Sequence, residues 1–232
     1  TYSAGSTGSS LIASGATSLV DLSSLTSFSG GTFNRTNVVA AGGRVEIDNV
    51  TQIVNGSTNV EANDGGRVVL TDLTAFSRTN NADLGRLRAA NGGIIESPNL
   101  TTLGPVNIEI SGATSVVDLD SLTSVDTTSF LASNGGVITA PALTGYSAGS
   151  NGSVLRADVG SLIDLSSVTT FAGGTFNNTD VYAVGGTIDL GGVTMVSGGS
   201  DVRAISGGHI DLASLAIFAP TNNADAKVLL AD

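Results

Sequence analysis

Seven carboxylates recur at one place in this chain, and they are the residues best suited to do chemistry. They are Asp21, Glu46, Glu96, Asp118, Asp164, Asp189 and Asp211. Each is the outward centre of a short alternating phrase that follows a glycine, as in GGTIDLGGVTMV (185–196) and GGHIDLASLAIF (207–218). Val69 and Thr139 hold the same place in the two remaining phrases. On stacked parallel strands such a column repeats about every 4.8 Å. Like charges at that spacing repel by about 1 kcal/mol per neighbour even at high dielectric. Three arrangements would relieve the repulsion: raised carboxyl pKa values, a bridging cation such as Ca²⁺, which prefers oxygen ligands, or pairing with Arg44 and Arg67 on the same face. The plainest alternative is a solvated, screened stripe. The column is thus the candidate cation site; no cofactor is expected, Ca²⁺ being the ion these residues would take if they bind one. Carboxylates about 5 Å apart also have the spacing of a retaining glycosidase. That chemistry needs a groove and sugar-stacking aromatics as well, and the chain has three Tyr and no Trp.

Other catalytic constellations are thin. With no Cys, Cys-ligated zinc, iron–sulfur clusters and disulfide scaffolds are excluded. The one His, His209, sits in Gly207-Gly208-His209-Ile210 with no serine elbow to serve, and is expected to face solvent. Acids outnumber bases 20 to 9, giving a net charge of −11 without a basic run. Nucleic acid is therefore not an expected partner, since phosphate binding needs clustered Lys and Arg. No apolar stretch reaches the roughly 20 residues of a spanning helix. The opening TYSAGSTGSS has neither the basic nor the apolar region of a signal peptide. The expectation is a non-enzyme.

The elements that carry the column come from a repeat. A threonine ends each phrase, at 26, 51, 74, 101, 123, 144, 169 and 194, with Ala216 in the ninth slot, at spacings of 21 to 27 residues. An apolar-x-Ala phrase precedes each glycine corner, from Leu11/Ala13 and Val38/Ala40 to Leu229/Ala231. Both phrases have period two, the strand signature, and no helical stripe occurs. A unit this short cannot bury its own core, but stacked units can. The expected fold is all-β: a right-handed parallel β-helix, or β-solenoid, of about ten rungs. The hand follows from the general preference of parallel crossovers.

A longer period lies above the short one. Tyr2–Ser6 matches Tyr146–Ser150, Gly30-Gly-Thr-Phe-Asn34 matches Gly173-Gly-Thr-Phe-Asn177, and Thr79–Asp83 matches Thr221–Asp225. The offset is 142 to 144 residues, or six rungs. The chain reads as one solenoid domain, 1–232, with a first super-repeat at 1–144 and a partial second at 145–232. It is expected to be a segment of a longer array, with neighbouring repeats or end-to-end self-association as partners.

Two columns have expected structural roles. The residues two after each threonine (Phe28, Ile53, Phe76, Leu103, Val125, Tyr146, Phe171 and Val196) form a core column. A flat paired Thr-x-Thr ice-binding face is thereby disfavoured, and the single threonine rank reads as a hydrogen-bonding ladder at a corner. All the length variation falls between this column and the next apolar-x-Ala phrase, so the long polar loops should project from one edge, where repeat proteins often bind.

Gly-rich, Cys-free, low-Lys rungs of the form GG-x-Ile-Asp-Leu-x-x-Leu-Thr-x-Phe resemble, over the whole chain, the β-helical repeats of large bacterial surface proteins. These include filamentous haemagglutinin-like adhesins and autotransporter passenger domains. The resemblance implies an extracellular, cell-surface or secreted stalk or adhesive segment, with a glycan or other cell-surface ligand as partner, and it carries over no functional residues. The runner-up reading is a polysaccharide-active β-helix enzyme or a carbohydrate-binding module. Polygalacturonases carry Asn-Thr-Asp, Asp-Asp, Gly-His-Gly and Arg-Ile-Lys. This chain has only Asn178-Thr179-Asp180 of these, and its single Lys, Lys227, is in a terminal loop.

Overall fold

The structure is a computed structural model that describes residues 1–6, 8–78, 85–219 and 229–231. Thr79–Asp83, Thr221–Asp225 and Lys227 of the sequence patterns lie outside the described residues. Short parallel strands stack coil upon coil into a β-solenoid, and the described residues contain no helix. One ten-stranded sheet runs the length of the stack, from Ser9–Ser14 through Thr36–Ala41 and Ser153–Asp158 to Leu229–Ala231. The number of coils is thus close to the ten expected. The mid-strand apolar and Ala residues of each apolar-x-Ala phrase pair in register, as in Val38↔Val60 and Ala40↔Ala62.

Each coil adds two shorter strands. One follows the glycine corner and carries the carboxylates, as in Leu162–Asp164 and Thr187–Asp189. The other follows the threonine corner and carries the aromatic column, as in Thr170–Ala172. The three strands enclose one core. Phe76, Phe130, Phe171, Ile47 and Leu87 are fully buried in it. Each such side chain contributes about 1.5–3 kcal/mol on leaving water. The predicted core column is buried from Phe28 to Val196.

Two different demands explain the glycine pairs. At Asn91-Gly92 both residues are left-handed (φ 51° and 79°), and the Gly93 N–H donates to the Ala90 carbonyl at 2.9 Å, closing a tight turn. Asn and Gly are the residues that tolerate that conformation. Gly93 itself lies against the coil before it, where a Cβ would fall on the Ala62 carbonyl.

Both shorter sheets are broken at one shared level, and the aromatic-column strands are also broken between Phe28–Ser29 and Gln52–Ile53. The carboxylate strands form a set of five ending at Val116–Val117 and a set of four beginning at Val137–Thr139. The aromatic-column strands likewise divide between Ser124–Val125 and Gly145–Ser147. Only the ten-stranded sheet crosses this seam, which falls at the shortest threonine spacing, the 21 residues from Thr123 to Thr144.

Candidate functional site

The carboxylate column exists as a register. Asp21 pairs with Glu46, Glu46 with Val69, and Val69 with Glu96. Beyond the seam Thr139 pairs with Asp164, Asp164 with Asp189, and Asp189 with Asp211. What the side chains do is local. Asp164 Oδ1 accepts the Ser166 N–H at 3.0 Å and the Ser166 hydroxyl at 2.7 Å. Asp21 accepts the same two groups from Ser23, at 2.9 and 2.6 Å. Asp118, Asp189 and Asp211 accept the N–H two residues ahead, from Asp120, Gly191 and Ala213, at 3.1, 2.8 and 2.8 Å. Every aspartate of the column therefore closes an Asx turn at the corner that follows its strand.

Two of the four other positions follow the same rule. Two residues after Glu96 and Thr139 stand Pro98 and Pro141, which have no N–H to offer. Glu96 instead forms an ion pair with Arg67, and Glu46 with Arg44 at 2.5 Å. Val69 is buried between the two glutamates in register, so that position does not face solvent as the pattern implied. The pairing of Arg44 and Arg67 with the column is thus one of the expected forms of relief. A raised pKa is not the outcome at Asp21: the Ser23 hydroxyl, then the Ser23 backbone N–H, hold its carboxyl below the ordinary value of 3.8. Among the described residues, no three of His, Cys, Asp or Glu are grouped so as to hold a metal ion. Ca²⁺ takes six to eight oxygens, and here it would find two carboxylates of adjacent coils whose Oδ1 atoms already serve turns.

The threonine rank is a ladder. Thr74 Oγ1 donates to the Thr51 carbonyl at 3.0 Å, Thr101 to Thr74 at 3.1 Å and Thr123 to Thr101 at 3.3 Å. A second run joins Thr169 to Thr144 at 3.1 Å and Thr194 to Thr169 at 3.2 Å. His209 is exposed on its strand, beside Thr187 in register.

Two features were not read from the sequence. The first is an inward Thr/Ser rank at the start of several long strands, where Thr36, Thr58, Thr128, Thr179 and Ser200 are buried; Gly85 and Val106 open the two strands in between. It ties the aromatic column to the long sheet at Tyr146, whose hydroxyl donates to the Thr128 carbonyl at 2.5 Å and lies 2.5 Å from Ser153 Oγ. Tyr146 stacks on Phe171 with ring centroids 4.7 Å apart, and Tyr2 stacks on Phe28 at 4.9 Å. The four residues are equivalent pairs across the six-coil offset. Burial pushes the Tyr146 hydroxyl well above its ordinary pKa.

The second is a charged network on the outer surface of the long sheet. Glu61, Arg88, Glu109, Arg156 and Arg203 occupy the x of five of the apolar-x-Ala phrases, with Leu131 and Tyr182 at the same place between them, a period-two signal that marks an outward column. Arg86 pairs with Glu61, and Arg88 lies 3.6 Å from Glu61 and 3.7 Å from Glu109. Further along, Arg156 pairs with Asp158 at 2.7 Å, and Arg203 lies over the Tyr182 ring at 5.5 Å. A shallow trough of about 740 Å³ crosses the middle of this face, lined by Arg88, Glu109, Leu131, Val154, Arg156 and Asp158 among others.

The variable connections lie at one corner, as expected. They run from 30 to 35, 54 to 57, 104 to 105, 126 to 128 and 148 to 152, and at 173 to 178 and 198 to 199. No family model, curated protein or solved structure matches the chain.

Proposed function

We propose that the chain is a non-enzymatic structural and adhesive repeat segment of an extracellular bacterial surface or secreted protein. It would act by rigid extension and bind along its loop edge. The observation that carries this reading is the use of the acid column: its five aspartates are spent on turns that recur coil after coil. Comparing the two super-repeat copies supports it. Inward and turn positions persist from copy to copy, as in Tyr2/Tyr146 and Asp21/Asp164, whereas outward positions of the long sheet change, as in Ile12/Arg156, Val39/Tyr182 and Glu61/Arg203. A catalytic constellation is unique, whereas a scaffold repeats. The extracellular placement rests on the resemblance in rung style. Neighbouring repeats of a parent chain, or end-to-end association, would extend the sheets.

The test is an activity assay across neutral and acidic polysaccharides. The reading predicts no release of reducing ends or unsaturated products. Sustained release, lost on substituting adjacent column acids such as Asp164 and Asp189, would establish the enzyme reading instead.

A further inference from the structure

Most exposed apolar side chains on this surface are not kept between the two super-repeat copies. Ile12 becomes Arg156, Gln52 becomes Met195 and Ala75 becomes Ile217. Leu19, 55% exposed on the first coil, corresponds to Leu162, which is half-buried and also has Val137 of the preceding coil beside it. Phe33 and Phe176 behave differently. They are equivalent residues of Gly30-Gly-Thr-Phe-Asn34 and Gly173-Gly-Thr-Phe-Asn177, and they are 74% and 73% exposed. A large aromatic held in water has no packing reason to recur six coils later.

Each loop holding such a Phe is tied to the scaffold on both sides. Thr32 N–H donates to the Gly5 carbonyl at 2.9 Å, and its counterpart Thr175 donates to Gly149 at 3.0 Å. Toward the next coil, Ser57 N–H donates to Gly31 at 2.9 Å and Gly199 N–H to Gly174 at 2.8 Å. A Cβ at Gly31 would fall on the Asn34 carbonyl, and one at Gly174 on the Asn177 carbonyl. The supporting Tyr2–Ser6 and Tyr146–Ser150 segments recur too. The loop is thus a braced knuckle of fixed shape, and a ligand meeting it would lose little loop entropy.

The chemistry of the tip is narrow. Its exposed neighbours are Thr32 and Asn34, with Ser6 in the segment the loop is tied to, or Thr175 and Asn177, with Ser150. The neighbouring charge of the first copy, Arg35, is Asn178 in the second. An aromatic face presents negative quadrupole to C–H bonds, and amides and hydroxyls at its rim match a ring of hydroxyl groups. No charge is common to the two copies of the tip. A second rod of the same chain would bring together two bodies of net charge −11.

We propose that Phe33 and Phe176 are the tips of two copies of one carbohydrate-binding loop, each stacking on a neutral sugar ring. The long sheet takes six steps between the coils they precede, which sets the tips about 29 Å apart. A single polysaccharide chain can span both. This rests on the adhesive reading above and gives it a ligand class and a site.

The experiment uses the full chain against immobilised neutral polysaccharides (amylose, mannan, xylan and cellulose), with polygalacturonate and chitosan as charged comparators. Binding to at least one neutral polymer is expected. Phe33→Ala or Phe176→Ala should weaken it about tenfold as bivalency is lost, and the double substitution on the order of 100-fold as the second stacking platform goes too. The unfolding midpoint should stay unchanged, and Phe33→Trp/Phe176→Trp should retain binding. The proposal is overturned by binding only to the charged polymers or to none, by full binding in the double Ala variant, or by loss of binding in the Trp variant. Self-association that depends on the two Phe would also overturn it, since it would assign the tips to a second copy. Polysaccharide cleavage would refute the non-enzymatic reading without touching this site, so the two failures are separable.

Discussion

Asp164 shows how a residue that looks chemical becomes structural. Its carboxylate accepts two hydrogen bonds from Ser166, and its neighbours in the column repeat the contact with whichever amide lies two residues ahead. Asparagine can make the same turn, whereas alanine cannot. Asp164→Ala should therefore cost about 1 kcal/mol in urea unfolding, and Asp164→Asn distinctly less. EDTA should leave the unfolding midpoint of the parent chain unchanged. If the Asn variant were as damaged as the Ala variant, and EDTA lowered the midpoint, the column would be a cation site. Tyr146 gives a second test. Its pKa is raised by burial, so the protonated hydroxyl is favoured in the folded state. The stabilisation is fully present below the ordinary value of 10.0 and is lost as pH climbs past it toward the folded value. Melting temperature should fall with pH above 10, and Tyr146→Phe should flatten that fall more than Tyr182→Phe does. At neutral pH the Tyr146→Phe variant should be less stable by about 1–3 kcal/mol, because the buried Thr128 carbonyl loses its donor.

Strands and corners were legible in the sequence because their periods are short. Apolar-x-Ala and the glycine phrases each alternate with period two, and the structure pairs them in the register that the alignment of phrases implies. The threonine ladder was legible for the same reason. The inward Thr/Ser rank was not, because one polar residue at a strand's first position looks like the end of a loop. The seam was not legible either, since no residue type marks it. Val116–Val117 pairs only with Ile94–Glu96, and Val137–Thr139 only with Leu162–Asp164. Arg44–Glu46 and Leu162–Asp164 have partners on both sides. Amide exchange should therefore be faster in Val116–Val117 and Val137–Thr139 than in those two strands, because unpaired strand edges open more readily. Equal protection across the seam would contradict the break.

At the scale of the whole molecule, one sheet of ten strands makes the chain a rod, and the super-repeat gives that rod a ruler. The architecture was readable from the sequence because a repeat states each contact many times. The surface was readable only in part. The outward acids were found by their column but their turns were not, since an Asx turn depends on the residue two ahead: Ser166 completes one, and Pro98 forbids one. The exposure of Phe33 and Phe176 was hidden because Gly-Gly-Thr-Phe-Asn reads as an apolar residue inside a polar loop, and only the fold shows on which side of the corner the ring falls. Rigid extension with loops at fixed spacing is the claim on which the functional reading depends. The chain has no Cys, so Asn34→Cys/Asn177→Cys offers just two sites for spin labels. Pulsed electron–electron double resonance on that variant should give one narrow distance distribution centred near 29 Å, six coils of about 4.8 Å each. A broad distribution, or a distance far from that value, would show that the two loops do not ride on one rigid stack.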